Sequence, residues 1–159
     1  MLNLYIPTVE DLWFREKMLA DEETMSYNHA WGGTIPFPEN EWQSWYDYWI
    51  LCDDGKRFYR YLKDIDSGEF VGEIAYHFDE ARSIWLADVI IIAEHRGKGY
   101  GKKGLKILCE VAAKNGIKTL YDDIAIDNPA LSLFIDNGFI EEYRTDDIIM
   151  LKKDLFLCD

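Results

Sequence analysis

Two spacings of apolar positions alternate along the chain. Leu2–Ile6 alternates like a short strand, and Pro7 ends it. Thr8 and Asp11 form a capping-box pattern for a helix reaching Ala20. Residues 26–37, with Gly32, Gly33 and Pro36, read as a loop. Pro38 suits the first turn of a second helix through Leu51, where Trp42, Trp45, Tyr46, Trp49 and Ile50 recur at helical spacing. The plain reading of those tryptophans is a core-facing stripe.

Lys56–Asp64 and Glu69–Phe78 read as strands of a hairpin turning at Asp66-Ser67-Gly68. Ser83–Ile92 is a third strand. A helix follows to Lys114 with Leu105, Leu108, Cys109 and Ala112 on one face, and Asn115-Gly116 closes it. Ile117–Ile126 is a strand. Asn128 and Pro129 start a further helix that Asn137-Gly138 ends. Phe139–Tyr143 and Asp147–Lys153 form a closing pair of strands. The expectation is one α+β domain over residues 1–159, with a mixed, mostly antiparallel sheet of six to seven strands and about four helices.

The glycine-rich stretch Arg96-Gly97-Lys98-Gly99-Tyr100-Gly101-Lys102-Lys103-Gly104 sits between the strand ending Val89-Ile90-Ile91-Ile92 and the third helix. Backbone N–H groups at a helix start are unpaired and the helix dipole favours an anion there. Arg96, Lys98, Lys102 and Lys103 add four cations with no acid among them. The whole chain carries a net charge of −13. That overall charge disfavours nucleic acid and anionic membranes as partners and suits a cationic acceptor. The local reversal at Arg96 points to a phosphate-bearing ligand.

Three cysteines, Cys52, Cys109 and Cys158, fit neither a disulfide framework nor a zinc site, and His29, His77 and His95 lack metal-ligand spacing. Asn3 interrupts an N-terminal apolar run too short for a signal peptide, so the cytoplasm is the expected compartment.

These motifs resemble the GNAT superfamily of acetyl-CoA-dependent N-acetyltransferases. Arg96-x-x-Gly99-x-Gly101 is similar to its pyrophosphate signature. Asp127-Asn128-Pro129-Ala130, then Leu133-Phe134 and Gly138-Phe139, is similar to its second block. The resemblance implies acetyl-CoA as cofactor, held by main-chain amides from Arg96 to Lys102, with Gly97, Lys98, Gly99, Tyr100 and Gly101 between them. It also implies that backbone groups near Ile91 and Ile92 pair with pantetheine and that Asn128 reaches a pantetheine amide. Two departures stand out. Phe134 replaces a tyrosine that commonly protonates the departing thiolate, and the interval from Asn128 to Phe134 is one residue shorter than in common versions.

Acetyl transfer to an amine needs a proton acceptor, because an alkyl ammonium with pKa ~10.4 costs roughly 4–5 kcal/mol to deprotonate at neutral pH. Acidic residues inside strands are the candidates: Asp88, Glu73, and one of Asp122 and Asp123, since neighbours on a strand face opposite ways. For each the plain alternative is a solvated face or an ion pair. Tyr121, Tyr76 or Tyr27 could supply the missing acid, or simply pack. Tyr27 and Trp31 fall where an acceptor wall is expected. The function expected is an N-acetyltransferase acting on the primary amine of a small cationic acceptor. A coenzyme-binding sensor that has lost catalysis is a second reading, kept open by Phe134. A nicotinamide-dependent oxidoreductase is a remote third, from Gly99-x-Gly101-x-x-Gly104. Exposed aromatics on the second helix suit a homodimer.

Overall fold

The computed structural model describes residues 1–156; Cys158 lies outside them. Seven strands form one sheet in the order β1-β2-β3-β4-β5-β7-β6. They are β1 (Leu2–Tyr5), β2 (Arg57–Asp64), β3 (Phe70–Asp79), β4 (Ile84–Ile91), β5 (Thr119–Ala125), β6 (Ile140–Arg144) and β7 (Ile148–Asp154). Every neighbouring pair is antiparallel except β4 and β5. The helices are α1 (Trp13–Ala20), α2 (Trp42–Tyr46), α3 (Tyr100–Lys114) and α4 (Leu131–Asp136).

Strand alternation separates two cores, one on each face of the sheet. Leu62, Ile74, Ile91, Leu120 and Ile124 meet α3 and α4 through Leu105, Leu108 and Phe134. Tyr59, Tyr61, Ala75 and Ile90 meet α1 and the segment after it through Phe14, Met18 and Met25. Helix α3 lies close on the sheet because Gly104 has no side chain. A Cβ there would stand 2.8 Å from Leu62 Cδ1.

Local chemistry changed several expected boundaries. Half of the expected capping box forms, Asp11 Oδ2 accepting the Thr8 backbone N–H at 2.9 Å; the Thr8 hydroxyl donates to the same oxygen instead of accepting a helical N–H, and a 3-10 turn at Glu10–Leu12 precedes α1. The expected loop at residues 26–37 is partly a 3-10 helix, Thr24–Trp31, ended by Gly32 at φ 103°. The second helix is α-helical only over Trp42–Tyr46, with a 3-10 turn before it and a π-helical turn at Asp47–Leu51 after it. Its tryptophans are half-buried against the second core, with Trp45 4.7 Å from Tyr59. Asn128 Oδ1 accepts the Ala130 N–H, so it closes a turn ahead of α4 instead of capping the helix itself.

Candidate active site

β4 and β5 share two rungs, Trp85 with Leu120 and Leu86 with Tyr121, and then part. A cleft of about 650 Å³ opens in the gap. It passes through the sheet, so residues from both faces line it: Gly101, Leu133 and Phe134 on one side, Arg15, Met25 and Tyr27 on the other.

On the α3 side the chain builds an amide cradle. Gly97 at φ 79° and Gly99 at φ 83° adopt left-handed geometry, which favours glycine and alternates the direction of the N–H groups. Among the described residues, none of the backbone N–H groups of residues 97–102 has an intramolecular acceptor; the first helical bond runs from Lys103 to Gly99. Gly101 lets the loop approach α4, since a Cβ would sit 3.4 Å from Leu133 Cδ2.

Arg96 serves a different purpose from the expected one. Its guanidinium donates to the carbonyls of Ile91, Glu23 and Thr24, at 3.1, 3.3 and 2.7 Å, and its own N–H is bonded to Ala93. The Thr24 hydroxyl accepts the Ala93 N–H. Arg96 thereby ties the Thr24–Trp31 segment to the glycine loop, with its amide and guanidinium donors engaged while its charge, which neutral carbonyls do not cancel, still lies in the cleft lining. Tyr100 sends its phenol to Asp64, so it adds its amide, while the Lys98 side chain is exposed beside the loop.

Ile91 lines the cleft, but Ile92 does not, a correction to the expected pair. The Ile92 N–H bonds the Val71 carbonyl. Ladder alternation therefore turns the backbone of Val89 and Ile91 toward the gap and that of Ile92 toward β3. Tyr121 is also corrected. It sits on the last rung that β4 and β5 share and does not border the cleft. Tyr76 is buried, bonded to Asn115 and stacked on Phe58.

The carboxylates divide into two kinds. Glu73 is buried and bonded to Arg15 Nη1 through both oxygens and to the Tyr59 hydroxyl. Arg15 in turn lies over the rings of Phe37, Trp45 and Tyr59. Asp88 and Asp122 have no cationic partner among the described residues. Asp88 is open to water in the cleft but ringed by protein; burial first, and then the Glu73 charge, push it up to about 7. Burial, then Asp88 and Asp123, hold Asp122 well above the usual carboxylate range. Asp123 also borders the cleft, contrary to the expectation that only one of the two does, and pairs with Arg82. The reason is the passage of the cleft through the sheet.

Tyr27 and Trp31 both line the cleft, on the face that carries α1. Burial, then the charges of Asp88, Glu73 and Asp122, raise the Tyr27 phenol far above its ordinary range. Their segment is clasped across the cleft mouth by His29 Nε2, 3.0 Å from Asp127 Oδ1. Trp49 and His77 extend the same wall. Asn128 lines the cleft with its carbonyl oxygen already used by Ala130. Arg15 escaped the sequence reading. A buried Glu73 calls for a cation, but nothing singles out Arg15 among 17 lysines and arginines.

The model of the acetyltransferase (GNAT) family matches residues 16–139. The chain belongs to the GNAT acetyltransferase family. Solved structures agree on the fold of this GNAT enzyme. A spermidine N-acetyltransferase from Vibrio cholerae, solved with CoA and spermine, superposes with a TM-score of 0.81 at 20% identity, covering 97% of this chain and 95% of that one. An N-acetyltransferase from Staphylococcus aureus Mu50 gives 0.76 at 18%, covering 98% and 99%. A putative phosphinothricin N-acetyltransferase gives 0.73 at 22%, also covering 98% and 99%. None of the curated proteins matches the chain. No helix among the described residues of this acetyltransferase is long and apolar enough to cross a membrane.

Proposed function

We propose that this GNAT enzyme moves acetyl from acetyl-CoA to the primary amine of a small cationic acceptor, by direct attack and without a covalent enzyme intermediate. The observation that carries the reading is a single cleft with unpaired amides at one end and cation-free carboxylates within it. Six consecutive N–H groups, residues 97–102, suit a diphosphate. The gap-facing backbone of Val89 and the N–H of Ile91, whose carbonyl is taken by Arg96, suit the amides of a pantetheine arm and the thioester oxygen. The free amide nitrogen of Asn128 suits the same arm.

The acceptor enters from the face of Tyr27, Trp31 and Trp49. Aromatic faces and the negative field of Asp88 and Asp122 favour an ammonium group there. Asp88 is the proton acceptor, because Glu73 is already committed to Arg15 and Tyr59. Its raised pKa places it close to neutrality, where a base works best. Family membership sets aside the oxidoreductase reading. Phe134 leaves one further reading, a coenzyme-binding protein without turnover.

A coenzyme-release assay over spermidine, spermine, amino acids and simple diamines decides. Turnover of a cationic amine that Asp88→Asn abolishes supports transfer. Calorimetric binding of acetyl-CoA with no turnover on any amine supports the sensor. Absence of binding removes both.

A further inference from the structure

The departing sulfur of a thioester needs a proton, and the α4 side chains that line the cleft, Leu133 and Phe134, have none to give. We propose that Asp122 is the catalytic acid that protonates the leaving thiolate. This rests on the acetyl-transfer reading above.

Strand geometry places the two free carboxyls on opposite faces. Asp122 shares its face of β5 with Leu120 and Ile124, which pack with Phe134 beneath α3 and α4. Asp88 shares its face of β4 with Ile90, which packs beneath α1 and the Tyr27 segment. The cleft joins the faces. Asp88 therefore stands on the side from which the amine arrives. Asp122 stands on the side of the amide cradle, from which the thioester arrives.

Two carboxyls without a cationic partner that line one cleft do not both ionise readily; burial first, and then the charges of Asp88 and Asp123, work against ionisation of Asp122. Asp122 is thus the group that enters the reaction carrying a proton. Of the cleft hydroxyls, Tyr100 donates to Asp64 and Ser26 to the Glu23 carbonyl, while Tyr27 lies on the opposite face from Asp122 and is held firmly protonated by burial and then by the nearby carboxylates.

The step balances. The amine nitrogen bonds to the carbonyl carbon and gives its proton to Asp88. The carbon–sulfur bond breaks with its electron pair on sulfur, and sulfur takes the proton of Asp122. Asp88 ends protonated and Asp122 ionised, and exchange with water resets both.

The test is steady-state kinetics of the full chain and of Asp122→Asn against pH, with acetyl-CoA and the best amine of the panel. Calorimetry with coenzyme A accompanies it. The expected result is a fall in kcat of about a hundredfold or more, KM values and coenzyme affinity within threefold, and loss of the high-pH decline that the unaltered chain shows as Asp122 ionises. Asp122→Glu, which keeps the proton, restores part of kcat and the decline. An Asp122→Asn enzyme with kcat within threefold of the unaltered chain overturns the assignment alone. So does a slowed one that keeps the high-pH decline. An unaltered chain that binds coenzyme A but acetylates no amine overturns the transfer reading and this role with it.

Discussion

Arg15 places a single guanidinium nitrogen against both oxygens of Glu73, at 2.8 and 2.7 Å, in the floor of the acceptor side. Glu73 is 1% exposed, so removing its charge strands a cation among Phe37, Trp45 and Tyr59. Glu73→Gln is expected to destabilise the fold by about 3 kcal/mol in urea unfolding, the range for breaking a buried pair. The same change removes a negative neighbour of Asp88 and frees the field of Arg15. The low-pH limb of activity then moves to lower pH.

With Asp88 as the proposed base, its ionisation sets that limb in the unaltered enzyme. As a base it must be ionised, so kcat/KM rises with pH about a midpoint near 7. Asp88→Asn abolishes the rise and lowers kcat by about a hundredfold or more.

The same group affects stability with the opposite trend. Its folded pKa lies above the ordinary aspartate range, so the folded state holds the proton more tightly and loses stability as pH rises from about 4 to 7. Because water reaches Asp88 in the cleft, the effect is discounted to about 1–2 kcal/mol. Asp88→Asn is therefore more stable than the parent at pH 8 in thermal unfolding, and the two converge near pH 4.

Gly99 begins α3 at φ 83°. Gly99→Ala forces a left-handed conformation that costs about 1–2 kcal/mol, and relief of that strain turns the cradle amides. Coenzyme affinity by calorimetry falls about tenfold. Gly101→Ala, in ordinary helical geometry and 3.4 Å from a movable Leu133 methyl, has the smaller effect.

Arg96 acts as a tie between the Thr24–Trp31 segment and the glycine loop. Arg96→Ala loses three charged hydrogen bonds and is expected to cost about 2 kcal/mol, after allowance for exposure. Acceptor KM rises more than coenzyme KM, because Tyr27 and Trp31 ride on the released segment. Arg96→Lys does not restore it, since an ammonium lacks the planar fork that reaches three carbonyls.

Local sequence determined the order of strands and helices, the glycine cradle and the family. Those depend on spacing, turn residues and chain direction, which are properties of neighbours along the chain. It also made Asp88 and Asp122 conspicuous, as acids in strands. Tertiary structure alone decided how the residues divide the work. Arg15 paired with Glu73 from a helix 58 residues away in sequence. Arg96 engaged its donors with three carbonyls. Tyr121 and Ile92 fell outside the cleft by one rung of the ladder, and Asp123 fell inside because the cleft crosses the sheet. Proton affinity and hydrogen bonding depend on what surrounds a side chain in space, and the packing of distant segments supplies those surroundings.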